Sequence, residues 1–372
     1  MPRTPRKAPQ GRDGAITQAL TAWFESAARP LPWRTDIAIA KPRPRDPYHN
    51  LVAELMAQQT QLSRVVPAFE KFTARFPTVA HLAKADEADV LALWSGLGYY
   101  RRARNLHAAA KAVMSDHGGT VPSTADSLVS LPGVGRYTAG SIASIVFGER
   151  TPLVDGNVTR VLLRIEGRAD LIEPKASAGF AWSRATELVE HAEIPGRFNE
   201  GLMELGATIC AAPPARPDCP NCPLNKWCKA FADGTQDRIP APKKAKATPT
   251  VHCATLVARD KQGRFLLEQR PAKGMWSNMW QCPTLERDAP VSLSELKSFA
   301  QMRSLDPASL TKAGTFTHQT THRTMEFTVY TADPVVCRRK QAAVRWVAQG
   351  EFDTVGISNA QLKAISLATT KL

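Results

Sequence analysis

The chain has 372 residues, enough for two domains at the rough prior of ~150 residues each, and its 43% hydrophobic content suffices for packed cores. Forty-eight Lys and Arg against 34 Asp and Glu give a net charge of +14, which suits a polyanionic partner but also plain solubility or a preference for a membrane surface. No apolar run reaches the ~18 residues that span a bilayer, and the N-terminal "MPRTPRKAPQGR" lacks the apolar core of a secretory signal, so no membrane partner and a cytoplasmic location are expected. Residues 1–13 read as a basic disordered tail. From there to residue 235 apolar residues recur at helical spacing: Ile16, Leu20, Trp23 and Phe24, then Val65, Phe69, Phe72 and Phe76, then Leu106, Ala109, Ala110 and Val113.

Between the first two of these helices, "TDIAIAKPRPRD" (residues 35–46) reads as a surface loop. In "NLVAELMAQQTQL" the apolar line Leu51, Val52, Leu55, Met56 leaves Glu54 and Gln58 one turn apart on another face, which by pattern alone is a solvated face. "LWSGLGYYRRARNLHAAA" sets Tyr99 and Tyr100 between a glycine loop and a cationic helix. That order suits stacking on bases beside phosphate clamps, and equally a core tyrosine. "LPGVGRYTAG" reads as a tight turn between two helices. Gly133 and Gly135 leave its amides open to a phosphate oxygen, although helix-to-helix turns also use glycine simply for its positive φ. In "TPLVDGNVTRVLLRI", Asp155 stands where an N-cap is expected.

Cys210, Cys219, Cys222 and Cys228 form C-x8-C-x2-C-x5-C in a segment whose prolines rule out one continuous helix. Four thiolates so close in a reducing compartment suit a tetrahedral zinc or a [4Fe-4S] cluster, and spacing alone does not choose. The proline-rich, basic "DRIPAPKKAKATPT" reads as an exposed linker over residues 236–250. Beyond it, "HCATLVAR", "RFLLEQR" and "TMEFTVYTA" read as strands, making residues 251–372 a mixed α and β domain.

Taken in order, "LPWR", "DPYHNLVAELMAQQTQL", "WSGLGYYRRARNL", "LPGVGRYTAG", "VDGNVTRVLLR", "NEGLMELGATIC" and the four cysteines resemble the adenine DNA glycosylases of the helix-hairpin-helix superfamily. The resemblance resumes at "FLLEQRPAKGMWSNMWQCP" and "FTH". It implies a multi-domain chain: an all-α helix-hairpin-helix core of two lobes over residues 14–235 with an iron-sulfur cluster loop, then an α+β nudix-like domain. It further implies a monomer of bacterial, nucleoid-associated type that removes adenine mispaired with 8-oxoguanine in double-stranded DNA, with a [4Fe-4S] cluster on the four cysteines.

By the same resemblance, Glu54 protonates adenine N7 and Asp155 stabilises the oxocarbenium-like sugar or bonds it transiently. Asn157 orients the pair. Tyr137 stands where related bifunctional glycosylases carry a lysine nucleophile; a phenol forms no Schiff base, so a monofunctional, hydrolytic enzyme is expected. Gln59, Thr60 and Tyr99 match residues that enter the helix, and Phe316, Thr317 and His318 a loop that reads 8-oxoguanine, although on their own residues these three read as an ordinary β-hairpin. The R-E-x-x-E-E helix of catalytic nudix enzymes is absent, so no hydrolysis is expected there.

The chain departs from the family pattern in a longer first cysteine gap, in Ala57 for a usual leucine, in Thr317 for a usual serine, and in the long loop at 35–46. The competing readings are a bifunctional oxidised-pyrimidine glycosylase and lyase, disfavoured by Tyr137 and the extra domain, and a non-catalytic damage-binding module, which would need neither Glu54 nor Asp155.

Overall fold

A computed structural model describes residues 11–37, 41–241, 248–320, 322–335 and 344–370. Its contacts divide the chain into two compact units, Met1–Lys84 with Asn105–Lys244, and Ala85–Arg104 with Ala245–Leu372.

The helices up to the linker are α1 (Gly11–Ala27), α2 (Pro47–Ala57), α3 (Leu62–Arg75), α4 (Val79–Lys84), α5 (Glu87–Leu93), α6 (Arg101–Asp116), α7 (Ala125–Leu128), α8 (Arg136–Phe147), α9 (Gly156–Ile165), α10 (Pro174–His191), α11 (Pro195–Thr208) and α12 (Lys229–Ala232). The expected apolar faces are the ones buried. Ile16 and Leu20 of α1 are fully enclosed in a core with Val158, Val161 and Leu162 of α9 and Phe198, Leu202 and Leu205 of α11, and Phe24 of α1 is fully buried as well. Each large side chain buried there contributes roughly 1.5–3 kcal/mol.

Two expectations about the ends of this region are corrected. Gly11, Arg12 and Asp13, read as part of the basic tail, form the first turn of α1, where Arg12 pairs with Glu166 at 2.9 Å and Asp13 with Arg184; residues 1–10 lie outside the described residues. The start of the linker is not exposed. Ile239 is buried against Leu163 and Ala230, and its carbonyl accepts from Arg164 Nε at 2.8 Å. Residues 242–247 lie outside the described residues.

In the second unit the four-stranded sheet runs β4 (Thr284–Arg287), β1 (Thr250–Val257), β6 (Thr324–Thr331), β5 (Thr311–Gln319), with β1 and β6 parallel and the other pairs antiparallel. A three-stranded sheet runs β3 (Trp280–Gln281), β2 (Phe265–Gln269), β7 (Val344–Val347). Two α-helices follow the linker in this unit. One, α13 (Leu293–Met302), is started by a capping box of Ser292 and Glu295; the other, α14 (Asn359–Thr369), is capped by Ser358. The alternation of β6, with Met325, Phe327 and Val329 buried, is the period that marks a half-buried strand.

Candidate active site

Glu54 sits on α2, whose entry is fixed by Pro47 and by the Asp46 carboxylate accepting from His49 N at 3.0 Å. The face that carries it is not solvated, because α8 packs over it. Ser141 Oγ of α8 donates to Glu54 Oε1 at 2.8 Å, the Tyr137 hydroxyl is within bonding range of the same carboxyl, and Gln58 Nε2 donates to Thr138 Oγ1 at 3.2 Å. Tyr137 Oη also lies 3.1 Å from Met203 Sδ. The chain that leads to Asp155 crosses α8 at Gly140, where any Cβ would collide with the Pro152 carbonyl.

Asp155 then caps α9: its Oδ1 accepts from Val158 N at 2.7 Å and its Oδ2 from Asn157 Nδ2 at 3.3 Å. The cap and the expected functional carboxylate are thus one group. Asn157 is itself held, its Oδ1 accepting from Arg160 Nη2 at 2.9 Å. Arg160 also donates to the carbonyls of Gly206 at 2.7 Å and Cys210 at 2.9 Å.

The electrostatics separate these groups. Burial pushes the Glu54 carboxyl up to about 7; the Ser141 and Tyr137 donors pull against this, and the negative charges of Glu200 and Asp155 add to it. Burial also raises Asp155, opposed by the Val158 and Asn157 amides, by Arg160 and by the Asn157 side chain. Burial, with the Glu54 and Asp155 charges, raises Tyr137 well above the usual phenol range, so its hydroxyl is a neutral donor at physiological pH. The arrangement therefore offers a carboxyl that holds a proton near neutrality beside a second carboxyl that is better supplied with donors.

Gly133, Gly135, Gln59 and Thr60 lie in the same unit on turns. Gly133 has φ +78, and a Cβ there would meet the Asn105 side chain; Gly135 is the N-cap of α8 without a side-chain cap bond and faces open space. Gln59 is exposed at φ +54, and Thr60 N closes the turn on Ala57 O at 3.2 Å.

The four cysteines are half-buried, free of disulfides, and line one pocket with Arg164, Ile209 and Pro217. Arg164 Nη1 lies 3.2 Å from Cys210 Sγ, and Cys228 Sγ lies 3.4 Å from the Arg164 carbonyl. Among the described residues, no three His, Cys, Asp or Glu side chains close on a single ion.

The remaining candidates belong to the second unit. Tyr99 is exposed, whereas Tyr100 and Arg102 of the same motif are buried and bonded to backbone carbonyls. Residues 316–318 lie on β5, in the hairpin that their own residues suggest rather than in the loop that the resemblance implies, with Phe316 opposite Phe327, Thr317 opposite Glu326 and His318 opposite Met325. The physical reason is the strand period. Phe316 stacks on Phe327 at 4.8 Å and His318 sits 5.9 Å from Trp276, while Thr317 points to solvent. Burial, then the Lys363 charge, lowers the His318 pKa.

One set of residues escaped the sequence reading. The loop taken as surface carries Arg45 inward. Its guanidinium pairs with Glu200 at 2.6 Å and with Asp36, while Arg34 reaches Glu200 at 2.9 Å and Glu204 at 3.0 Å, and Arg29 also pairs with Glu204. Arg34, Arg45, Glu200 and Glu204 are all buried. The acidic pair one turn apart in "NEGLMELG" was the available signal, since two buried helical carboxylates require cations.

The sequence model of the HhH-GPD superfamily of base excision DNA repair proteins matches residues 52–186, and that of the NUDIX domain matches residues 254–367. The chain is 33% identical to the adenine DNA glycosylase of Rattus norvegicus over 94% of its own length and 77% of that protein. It is 42% identical to the adenine DNA glycosylase of Mycobacterium tuberculosis over 56% of its own length and 65% of that protein. Among solved structures, a thermostable thymine-DNA glycosylase superposes with a TM-score of 0.52 at 27% identity, covering 59% of this chain and 97% of that one.

Proposed function

This chain belongs to the adenine DNA glycosylase family of base excision repair, and from that premise we infer that it hydrolyses the N-glycosidic bond of adenine opposite 8-oxoguanine, with Glu54 as acid and Asp155 as counter-charge. The observation that carries the assignment is the Glu54 carboxyl, pushed up to about 7 with only neutral hydroxyl donors from Ser141 and Tyr137 against it.

Adenine leaves poorly unless protonated. Glu54 delivers its proton to N7 as the glycosidic bond lengthens, and the bonding electrons depart with the base. Positive charge then develops on the deoxyribose, for which the Asp155 carboxylate is the counter-charge or transient covalent partner. Glu54, now ionised, accepts a proton from the attacking water. Asn157 fixes the rotamer of Asp155, and Arg160 fixes Asn157. Tyr137 steadies Glu54 and offers no amine, so the product is an abasic site without strand scission.

A stacked adenine is out of reach of these groups, so the nucleotide is flipped out. Gln59, Thr60 and Tyr99 fill or wedge the duplex, and the turn at Gly133 and Gly135 holds backbone phosphate with its amides. On β5, Thr317 is the solvent-facing member of the 8-oxoguanine-reading set, between Phe316 and His318.

The four cysteines suit a [4Fe-4S] cluster. They are soft donors that line one pocket, and the family resemblance favours the cluster over a zinc. Cys210, Cys219, Cys222 and Cys228 would hold it, and its contribution is to shape the basic loop around them rather than to take part in the chemistry. Cys219→Ser is expected to lose visible absorption and DNA binding together; a colourless wild-type protein with one stoichiometric zinc would contradict the assignment.

The activity is tested with duplexes carrying A opposite 8-oxoguanine, A opposite G, or an oxidised pyrimidine. Alkali-dependent nicking of the first two is expected. Nicking of the pyrimidine lesion without alkali, with borohydride trapping, would overturn the reading.

A further inference from the structure

The glycine loop that carries Tyr99 belongs, by its contacts, to the same unit as the C-terminal domain. Three of its residues have positive φ: Gly96 at 90°, Gly98 at 71° and Tyr99 at 50°. Glycine adopts that backbone freely, but a tyrosine does so only where its surroundings enforce it. Part of the enforcement is local. Trp94 Nε1 donates to Gly98 O at 3.0 Å, Arg102 Nη2 donates to Leu97 O at 3.3 Å and Gly98 O at 3.2 Å, and the Arg102 guanidinium lies 5.2 Å from the Tyr99 ring centre.

The rest comes from the other end of the chain. Two hydroxyls of the loop, Ser95 Oγ and Tyr100 Oη, converge on the carbonyl of Ile357 at 3.2 and 3.0 Å. Asn359 Nδ2 closes the contact in the opposite sense, donating to Gly96 O at 3.3 Å. The anchor itself is rigid: Ile357 is fully buried in the sheet core, and the preceding Gly356 carbonyl accepts from Trp280 N of β3 at 2.8 Å. Tyr100 is 4% exposed and Tyr99 47% exposed, so one tyrosine of the pair is spent on the anchor and its neighbour is held outward.

We propose that Gly356–Asn359 of the C-terminal domain is a positioning element for Tyr99, clamping the loop in the shape that presents this ring to the duplex. The domain then has two tasks, base reading on β5 and control of a wedge that lies more than 250 residues earlier in the sequence. Ser95, Tyr100 and Asn359 are positioning residues. The proposal rests on the reading that Tyr99 enters the helix.

The test uses the full chain and a duplex with A opposite 8-oxoguanine and 2-aminopurine beside the lesion, whose fluorescence rises when its stacking is broken. Tyr99→Ala should abolish most of the rise and weaken binding about tenfold, within the range for losing one aromatic stack. Ser95→Ala with Tyr100→Phe should do the same, and should add nothing further to Tyr99→Ala. Asn359→Ala, at an exposed position, should give a smaller loss in the same direction, and Ser95→Thr, which keeps the hydroxyl, should behave as wild type. Wild-type fluorescence and binding in both the double variant and Asn359→Ala, with Tyr99→Ala impaired, would overturn the clamp. So would an effect of the double variant that persists in full on top of Tyr99→Ala. An unaffected Tyr99→Ala would instead overturn the wedge reading beneath it.

Discussion

Two pairs of carboxylates share the first unit and have opposite fates. Glu200 and Glu204 on α11 are enclosed by guanidinium groups of Arg34, Arg45 and Arg29, whereas Glu54 faces Ser141 and Tyr137, and Asp155 faces amides and, further off, Arg160. Burial raises both Glu204 and Glu54, but at Glu204 the two arginines outweigh it and the carboxyl ends below its ordinary value. At Glu54 the neutral donors do not, and it ends at about 7. Burial thus supplies the penalty, and the charge of the neighbours decides whether a carboxyl keeps its proton. The unit uses one pair for architecture and leaves the other under-neutralised, as a general acid requires.

The comparison breaks most visibly at Glu54. Glu54→Gln is expected to bind the A opposite 8-oxoguanine duplex normally and to slow adenine release by ~10²- to 10⁴-fold in single-turnover assays. Asp155→Asn should be comparably slow. A substrate whose base departs without N7 protonation should partly rescue Glu54→Gln but not Asp155→Asn; equal rescue would remove the division of roles.

Removing a cation from the other pair should act on stability first. Arg45→Met strands Glu200 without one of its two buried partners and should cost about 3–5 kcal/mol in denaturant unfolding. Because the Glu200 charge already raises Glu54, the less neutralised Glu200 should also move the alkaline limb of the rate profile to higher pH.

A smaller effect sharpens the contrast from the stability side. The folded Glu54 pKa lies above the unfolded value, so its contribution is fully present below about 4.5 and is lost as pH rises through about 7. Glu54→Gln should therefore gain up to about 3 kcal/mol relative to wild type at pH 8 and little at pH 4.5, read as the difference in unfolding free energy at the two pH values. A variant no more stable than wild type at pH 8 would show that the site stores no such strain.

Much of this was legible in the sequence where the determinant is local. The buried faces at Leu106, Ala109, Ala110 and Val113, the strands β1, β2 and β6, and the Asp155 cap all follow from periodicity and capping chemistry. What escaped was set by partners far along the chain. Glu54 read as a solvated face because the helix that covers it begins eighty residues later, at Arg136. Arg45 read as part of a surface loop because Glu200, which pairs with it in the interior, lies more than 150 residues away. The segment 316–318 is a loop only by the resemblance; the hairpin that its own residues suggest is what forms, with Phe316 opposite Phe327. Nor does anything in the sequence of residues 85–104 report the Ile357 carbonyl to which Ser95 and Tyr100 bond.

The most direct test of the central claim is an infrared titration of the free protein with isotopically labelled glutamate, following the carbonyl stretch of protonated carboxyl groups. A single band should disappear with an apparent pKa near 7 in wild type and be missing in Glu54→Gln. A wild-type spectrum in which every glutamate has ionised by pH 5 would contradict the account.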